Sequence, residues 1–165
     1  MPMSEYMRDL RAKVGTALVQ IPAVSLVTFD RQDRVLLVVH GDVRRWTTPG
    51  GAVDPLERPA DAAVREMWEE TGLDVELVGI AGVYGGPEFV TTYSNGDVVS
   101  FVTTVFEARV RSGTPRADHD ETLDVRWFAA GELPALDLDP WARIILDDAL
   151  AGRRAHFAPP AWRAS

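Results

Sequence analysis

Glu66, Glu69 and Glu70 stand at i, i+3 and i+4 in a stretch, residues 58–71, whose composition is strongly helix-forming and which Gly72 is placed to stop. On a helical wheel with Glu66 at zero, Glu70 falls near 40° and Glu69 near 300°, so the three carboxylates share a face roughly 100° wide. Such neighbours repel one another by roughly 0.2–0.5 kcal/mol per pair. A hard divalent cation repays that cost, because it accepts several carboxylate oxygens and keeps positions for water and phosphate. Val64, Met67, Trp68 and Thr71 fall on the opposite face, where they suit packing against a sheet, and Ala62 and Ala63 leave the side beside the glutamates unobstructed.

The flanking residues suit the same purpose. Arg65 lies one turn before Glu69 and can hold that carboxylate, while Glu57 sits near the positive end of the helix and can brace the preceding loop. Gly50 and Gly51 let the backbone approach an ion closely and offer a carbonyl oxygen. The bland alternative is a solvated acidic helix stabilised by i,i+4 pairs. For an isolated Arg-Glu-x-x-Glu-Glu it would be the better reading, and the full string decides against it.

That helix needs a scaffold. The chain has 165 residues with 46% hydrophobic content, enough for one core, and no repeat or low-complexity run divides it. One domain is expected over 1–157, with a short N-terminal helix over 5–14 and a flexible tail over 158–165. Residues 23–29 and 35–40 are β-rich and flank Asp30-Arg31-Gln32-Asp33, which reads as a hairpin. Further strands are expected over 75–84, 98–110 and 123–128, and a last helix over 139–150. Strands around one central helix, with another helix at each end, point to an α/β sandwich with a mixed sheet.

Composition excludes several functions. The net charge of −8 disfavours nucleic acid and anionic membrane as partners, so a phosphate-bearing ligand needs local cations. With no cysteine there is no disulfide, thiolate metal site or cysteine nucleophile. The first 13 residues carry five charges and no apolar core of a signal peptide, and no stretch approaches a membrane span, so a cytoplasmic protein is expected.

Residues 51–73 read Gly51, Glu57, Arg65-Glu66-Met67, Glu69-Glu70 and Gly72-Leu73 at the spacing G-x5-E-x7-R-E-U-x-E-E-x-G-U. This resembles the signature of the Nudix hydrolases, and all seven identity-defined positions match. Trp46-Thr47-Thr48-Pro49-Gly50-Gly51 resembles the family's W-x-x-P-G-G lead-in, and Glu121, Trp127-Phe128 and Glu132-Leu133-Pro134 resemble its later E, W-F and E-L-P. The segments 10–15 and 86–97 resemble a bacterial branch called MutT-like. Departures are Met67 in place of a branched aliphatic, Leu56 where many members have glycine, and Val39 and His40 where the branch often has arginines.

The resemblance implies a Nudix-like α/β/α sandwich with a loop-helix-loop catalytic motif, and Mg²⁺-dependent hydrolysis (Mn²⁺ as an alternative) of a phosphoanhydride in a small nucleotide-like substrate. The substrate class is a nucleoside diphosphate linked to another group, such as a nucleoside triphosphate or ADP-ribose. It implies Gly50, Glu66, Glu69, Glu70 and Glu121 as metal ligands, and the four glutamates as catalytic residues. Glu121 is the first choice for general base and Glu66 the second. Gly51, Glu57, Arg65 and Gly72 support the site. Arg44 and Arg45 are candidates for phosphate, and Tyr84, Phe89 and Tyr93 for stacking on a base. His40 and His156 carry no expectation, and a homodimer is left open. Alternatives on the same scaffold are a non-catalytic nucleotide-sensing or protein-binding module, which would be expected to have lost box glutamates, and an isomerase, which would need a cysteine. A calcium loop would favour Asp and Asn over helical glutamates.

Overall fold

The computed structural model describes residues 4–41, 44–117 and 122–162. Three helices, α1 (Glu5–Val14), α2 (Pro59–Thr71) and α3 (Pro140–Leu150), are combined with eight strands among these residues. The strands are β1 (Val19–Thr28), β2 (Val35–His40), β3 (Trp46–Thr47), β4 (Gly50–Ala52), β5 (Asp74–Tyr84), β6 (Val90–Thr92), β7 (Val98–Ser112) and β8 (Thr122–Phe128).

They form two sheets. One runs β4-β1-β7-β5, with β6 also on β7, and is mixed because β1 and β7 are parallel while the other pairs are antiparallel. The other runs β3-β2-β8 and is antiparallel. The hairpin expected between residues 23–29 and 35–40 is therefore corrected: β1 and β2 belong to different sheets, and their backbones meet at the turn, through the bridge Phe29↔Val35 and the Asp30 N–H donated to the Arg34 carbonyl (2.9 Å). Asp30 turns the chain there, its Oδ1 accepting the amides of Gln32 and Arg34. The sequence already carried the reason. Neither run alternates apolar with polar residues: 35–39 is unbroken Val-Leu-Leu-Val-Val, and 23–29 is interrupted only by the small, buried Ser25 and Thr28, as suits strands buried on both faces.

The two-residue period of β1 and β2 sorts their side chains between two cores. Val24, Leu26 and Leu36 pack with Ala62, Ala63 and Met67 of α2, whereas Val27, Val35 and Leu37 pack with Ile145 and Leu146 of α3. The layering is helix, strands, helix, as the α/β/α expectation had it.

Local chemistry sets the limits of α2. Pro59 occupies the first turn, where its missing N–H costs nothing, and Gly72 closes the helix at φ 69° with its amide on the Trp68 carbonyl. The buried face differs from the wheel. It runs through Ala62, Ala63, Glu66, Met67, Glu70 and Thr71, while Val64 and Trp68 are exposed. Two of the three glutamates thus face inward beside the packing residues, because the small alanines let the helix sit close to the sheet.

The departure at Leu56 has a geometric basis. Its φ is +69° and its side chain is fully exposed, so a left-handed residue that gains nothing from burial stands where glycine would be unstrained. Relief of about 1 kcal/mol of strain, partly offset by a more flexible unfolded chain, should make Leu56→Gly more stable by about 0.5 kcal/mol. A higher thermal midpoint checks this, and a lower one contradicts it.

Candidate active site

Glu66 and Glu70 are only 3% and 5% exposed, and both border a cavity of about 540 Å³ together with Gly50, Gly51 and Asp54. The loop before α2 builds this wall. Leu26 N–H donates to the Pro49 carbonyl (2.9 Å), Ser25 Oγ bonds Thr48 Oγ1 (2.7 Å), and β4 then pairs with β1 through Ser25↔Gly50. Gly50 sits at φ 151°, and a Cβ there would lie 2.2 Å from the Val24 carbonyl oxygen, so no other residue fits. A Cβ on Gly51 would come within 2.5–2.8 Å of the Glu66 carboxyl atoms. The backbone of β4 is therefore pressed directly against the functional side chains, for which two glycines in succession are required.

Each carboxylate has partners. The Gly50 amide donates to Glu70 Oε2 (3.0 Å), and His40 Nε2 lies 3.3 Å from Glu70 Oε1. Arg65 is the hub. Its Nε and one terminal nitrogen donate to the two oxygens of Glu57 (2.8 and 2.9 Å), and the other reaches Glu66 Oε1 (2.8 Å) and Glu69 Oε2 (3.1 Å). Glu57 in turn accepts the Asp54 amide (3.1 Å), which ties the loop to the helix. Glu69 is half-exposed, rests on Arg65 and does not border the cavity. Among the described residues no three acidic or histidine side chains converge as a preformed metal cluster.

Two glutamates of this network titrate in opposite directions. Hydrogen bonds from Arg65 hold Glu57 below the ordinary value of 4.5, against a smaller effect of burial. Burial pushes Glu66 up, and attraction to Arg65 does not cancel it. The native state therefore grips the Glu66 proton more tightly than the unfolded chain does, and the metal-free protein should gain stability as pH falls through the raised value. Glu57 contributes stability that is complete above 4.5 and is lost as pH falls through its lowered value. Thermal midpoints of metal-free protein should therefore pass through a maximum in weak acid. Glu66→Gln should remove the rise on the alkaline side of that maximum, and an unchanged profile would contradict this.

The remaining expected residues divide. Arg45, Phe89 and Tyr93 border the cavity, Arg45 also pairing with Asp137 at 3.3 Å. Arg44 does not border it: at φ 54° it turns the chain between β2 and β3. Tyr84 is also corrected. It is buried in the α3 core, donates to Asp148 (3.1 Å) and stacks on His156, so no base can reach its ring. Gly72 serves as the cap of α2. Glu121 lies outside the described residues.

His40 and Asp139 are site residues that sequence reading missed. His40 is a polar residue ending the apolar run of β2, just before the lead-in to the glycines, and that was its available signal. Asp139 caps α3 by accepting the Trp141 amide (3.3 Å) and borders the cavity, where burial pushes its carboxyl up.

An acid-bearing helix docked on a mixed sheet, with a glycine strand closing one cavity, defines the class as an α/β sandwich whose candidate site is lined by buried carboxylates. The chain belongs to the NUDIX domain family, whose model matches residues 19–149. It is 35% identical over 109 residues to a putative 8-oxo-dGTP diphosphatase of Bacillus subtilis, covering 66% of each chain. It is 30% identical to a MutT-like protein of Streptomyces ambofaciens, covering 92% of this chain and 90% of that one. A NUDIX hydrolase structure from Nitrosomonas europaea superposes with a TM-score of 0.68 at 26% identity, covering 83% of this chain and 93% of the other. The chain is thus a Nudix-type pyrophosphohydrolase of the MutT-like kind. No helix among the described residues is long and apolar enough to cross a membrane.

Proposed function

We propose that this hydrolase cleaves, with Mg²⁺ or Mn²⁺, the phosphoanhydride of a nucleoside diphosphate linked to another group, with nucleoside triphosphates ahead of ADP-ribose. One observation carries the reading: two buried carboxylates, Glu66 and Glu70, border one cavity in a protein whose net charge of −8 would otherwise repel a diphosphate. Hard oxygen donors at that depth fit a hard cation, and the burial that disfavours the charge on Glu66 is what a cation would relieve.

Glu66 and Glu70 would hold the ion. Glu69 joins them on leaving Arg65, and the Gly50 carbonyl and Glu121 complete the proposed set. When bound, the ion offsets the charge of the diphosphate and acidifies a neighbouring water. The chain's own residues do the rest. Arg65 fixes Glu66 from one side while Gly51 leaves room on the other, and the Gly50 amide and His40 orient Glu70. Glu121 is proposed to take the proton of the attacking water, with Glu66 as second choice, and Arg45 at the cavity wall to meet phosphate. Phosphoryl and nucleotidyl transfer need such positioning and charge neutralisation more than covalent chemistry.

A triphosphate is placed first because the Bacillus subtilis relative is named for one. A cytoplasmic location belongs to the same reading. So does a homodimer, supported by the exposed Val78, Ile80, Val83 and Val102 on β5 and β7. The test incubates the protein with Mg²⁺ and deoxynucleoside triphosphates, oxidised dGTP, ADP-ribose, nucleotide sugars and dinucleoside polyphosphates. Magnesium-dependent release of a nucleoside monophosphate from at least one of them is expected. No turnover of any, with or without the ion, would refute the proposal.

A further inference from the structure

The cavity is longer than the acidic site needs, and a helix outside the family-matched segment closes its far end. Its floor is the parallel pair β1 and β7, from which alternate residues face the cavity: Ile21, Ala23 and Ser25 from one strand, Val99, Phe101 and Thr103 from the other. Ser25 pairs with Gly50 and so lies at the glutamate end. Ile21, four residues back, lies roughly 13 Å away at the rise of an extended strand. That is about the length of a nucleotide from its phosphates to the edge of its base.

At this far end the wall is α1. Ser4, Met7 and Arg11, one helical turn apart in succession, all border the cavity. α1 precedes residues 19–149, the part of the chain that the family model matches. It is locked in place by Arg11, which is 9% exposed and donates to the carbonyls of Gly15 (3.1 Å), Ala17 (2.7 Å) and Val98 (2.9 Å). Its Nε also lies 3.6 Å from Asp97 Oδ2. Asp97 closes the turn that carries Tyr93: the Tyr93 amide bonds the Asp97 carbonyl (2.9 Å), and Asn95 Nδ2 bonds the Asp97 carboxylate (3.0 Å). One buried guanidinium thus fixes both α1 and the Tyr93 turn at the end of the cavity away from the glutamates.

We propose that α1 is the specificity wall of this enzyme. Met7 contacts the ring of the group carried beyond the phosphates, a nucleobase, while Arg11 is the positioning residue that holds Met7 and Tyr93 at the distance that ring requires. The inference rests on the function proposed above and adds the element that selects among nucleotides. Polyphosphate alone occupies only the glutamate end and does not reach α1.

Calorimetric titration with Mg²⁺ present separates the two ends. The probes are the non-hydrolysable α,β-methylene analogue of dGTP and, without any nucleoside, tripolyphosphate. Met7 is half-buried and apolar, so Met7→Trp fills the far end without orphaning a polar group. It should weaken the analogue at least about tenfold and leave tripolyphosphate within about twofold. Arg11→Lys keeps the charge but loses the fork, and for the best substrate should raise KM about tenfold with kcat within about threefold. Equal effects of Met7→Trp on both probes, or none on either, would overturn the inference while leaving the proposed function standing. An Arg11→Lys chain with a lower thermal midpoint but the parent KM would do the same. A parent that binds neither probe would also overturn the inference, while the proposed function stands or falls on the turnover test above.

Discussion

A Glu66→Gln, Glu70→Gln chain is expected to fold and to hydrolyse its best substrate at least about a thousandfold more slowly than the parent, a loss of about 4 kcal/mol of transition-state stabilisation. Folding survives because the replacement is isosteric and its contacts are of a kind that an amide retains. Glu70 accepts the Gly50 amide, which a glutamine oxygen also accepts, and Glu66 loses a charge that its burial already penalises. What disappears is the pair of anionic oxygens facing the cavity. Initial rates with saturating Mg²⁺ test this, with the thermal midpoint as a control for folding. Parental rates from the double variant would mean that the hydrolytic site lies elsewhere.

The second large effect is on stability. Arg65→Met should cost about 3 kcal/mol, because removing one partner of a largely buried network leaves the others as uncompensated charges. Glu66 would keep its buried carboxylate without its cation, and Glu57 would lose both bonds that tie the preceding loop to α2. The cost stays below that of a fully enclosed ion pair, since Arg65 is about a quarter exposed and Glu69 about half. Arg65→Lys should recover only part of it, as a single ammonium cannot serve Glu57 bidentately and reach Glu66 and Glu69 as well. Urea unfolding of the metal-free proteins measures the difference. A change below about 0.5 kcal/mol would show the network to be energetically idle.

Much of α2 was legible because its signals are local. Pro59 and Gly72 mark its ends, and the spacing of Glu57, Arg65, Glu66, Glu69 and Glu70 identifies the string without any knowledge of the fold. The orientation of α2 was not legible. Wheel geometry divides residues by angle, but how far the sheet wraps around the helix depends on how closely it sits. Ala62 and Ala63, read as open space beside the glutamates, are contact points that carry Glu66 and Glu70 inward.

Strand pairing failed for a related reason. The apolar runs of β1 and β2 state that both faces are buried, but nothing in a single run names its neighbour, and the nearest in sequence was the wrong one. Tyr84 shows how parity is lost. Register shifts along β5 between Leu77 and Gly79 and between Ile80 and Gly82 break the alternation, so the face that Tyr84 occupies cannot be counted from residue 75. His40 meets Glu70 only because β2 ends beside α2, a contact thirty residues apart that no spacing rule encodes. The far wall of the cavity was least visible, since Arg11 and Asp97 are 86 residues apart and read singly as surface charges.

Whether a divalent ion occupies the space between Glu66 and Glu70 is asked directly, without substrate, by a Mn²⁺ titration followed by electron paramagnetic resonance. The parent should take up Mn²⁺ in a form that Mg²⁺ displaces, and the Glu66→Gln, Glu70→Gln chain should leave the ion free in solution at the same concentrations. Equal uptake by the two proteins would contradict the assignment of these carboxylates as ligands.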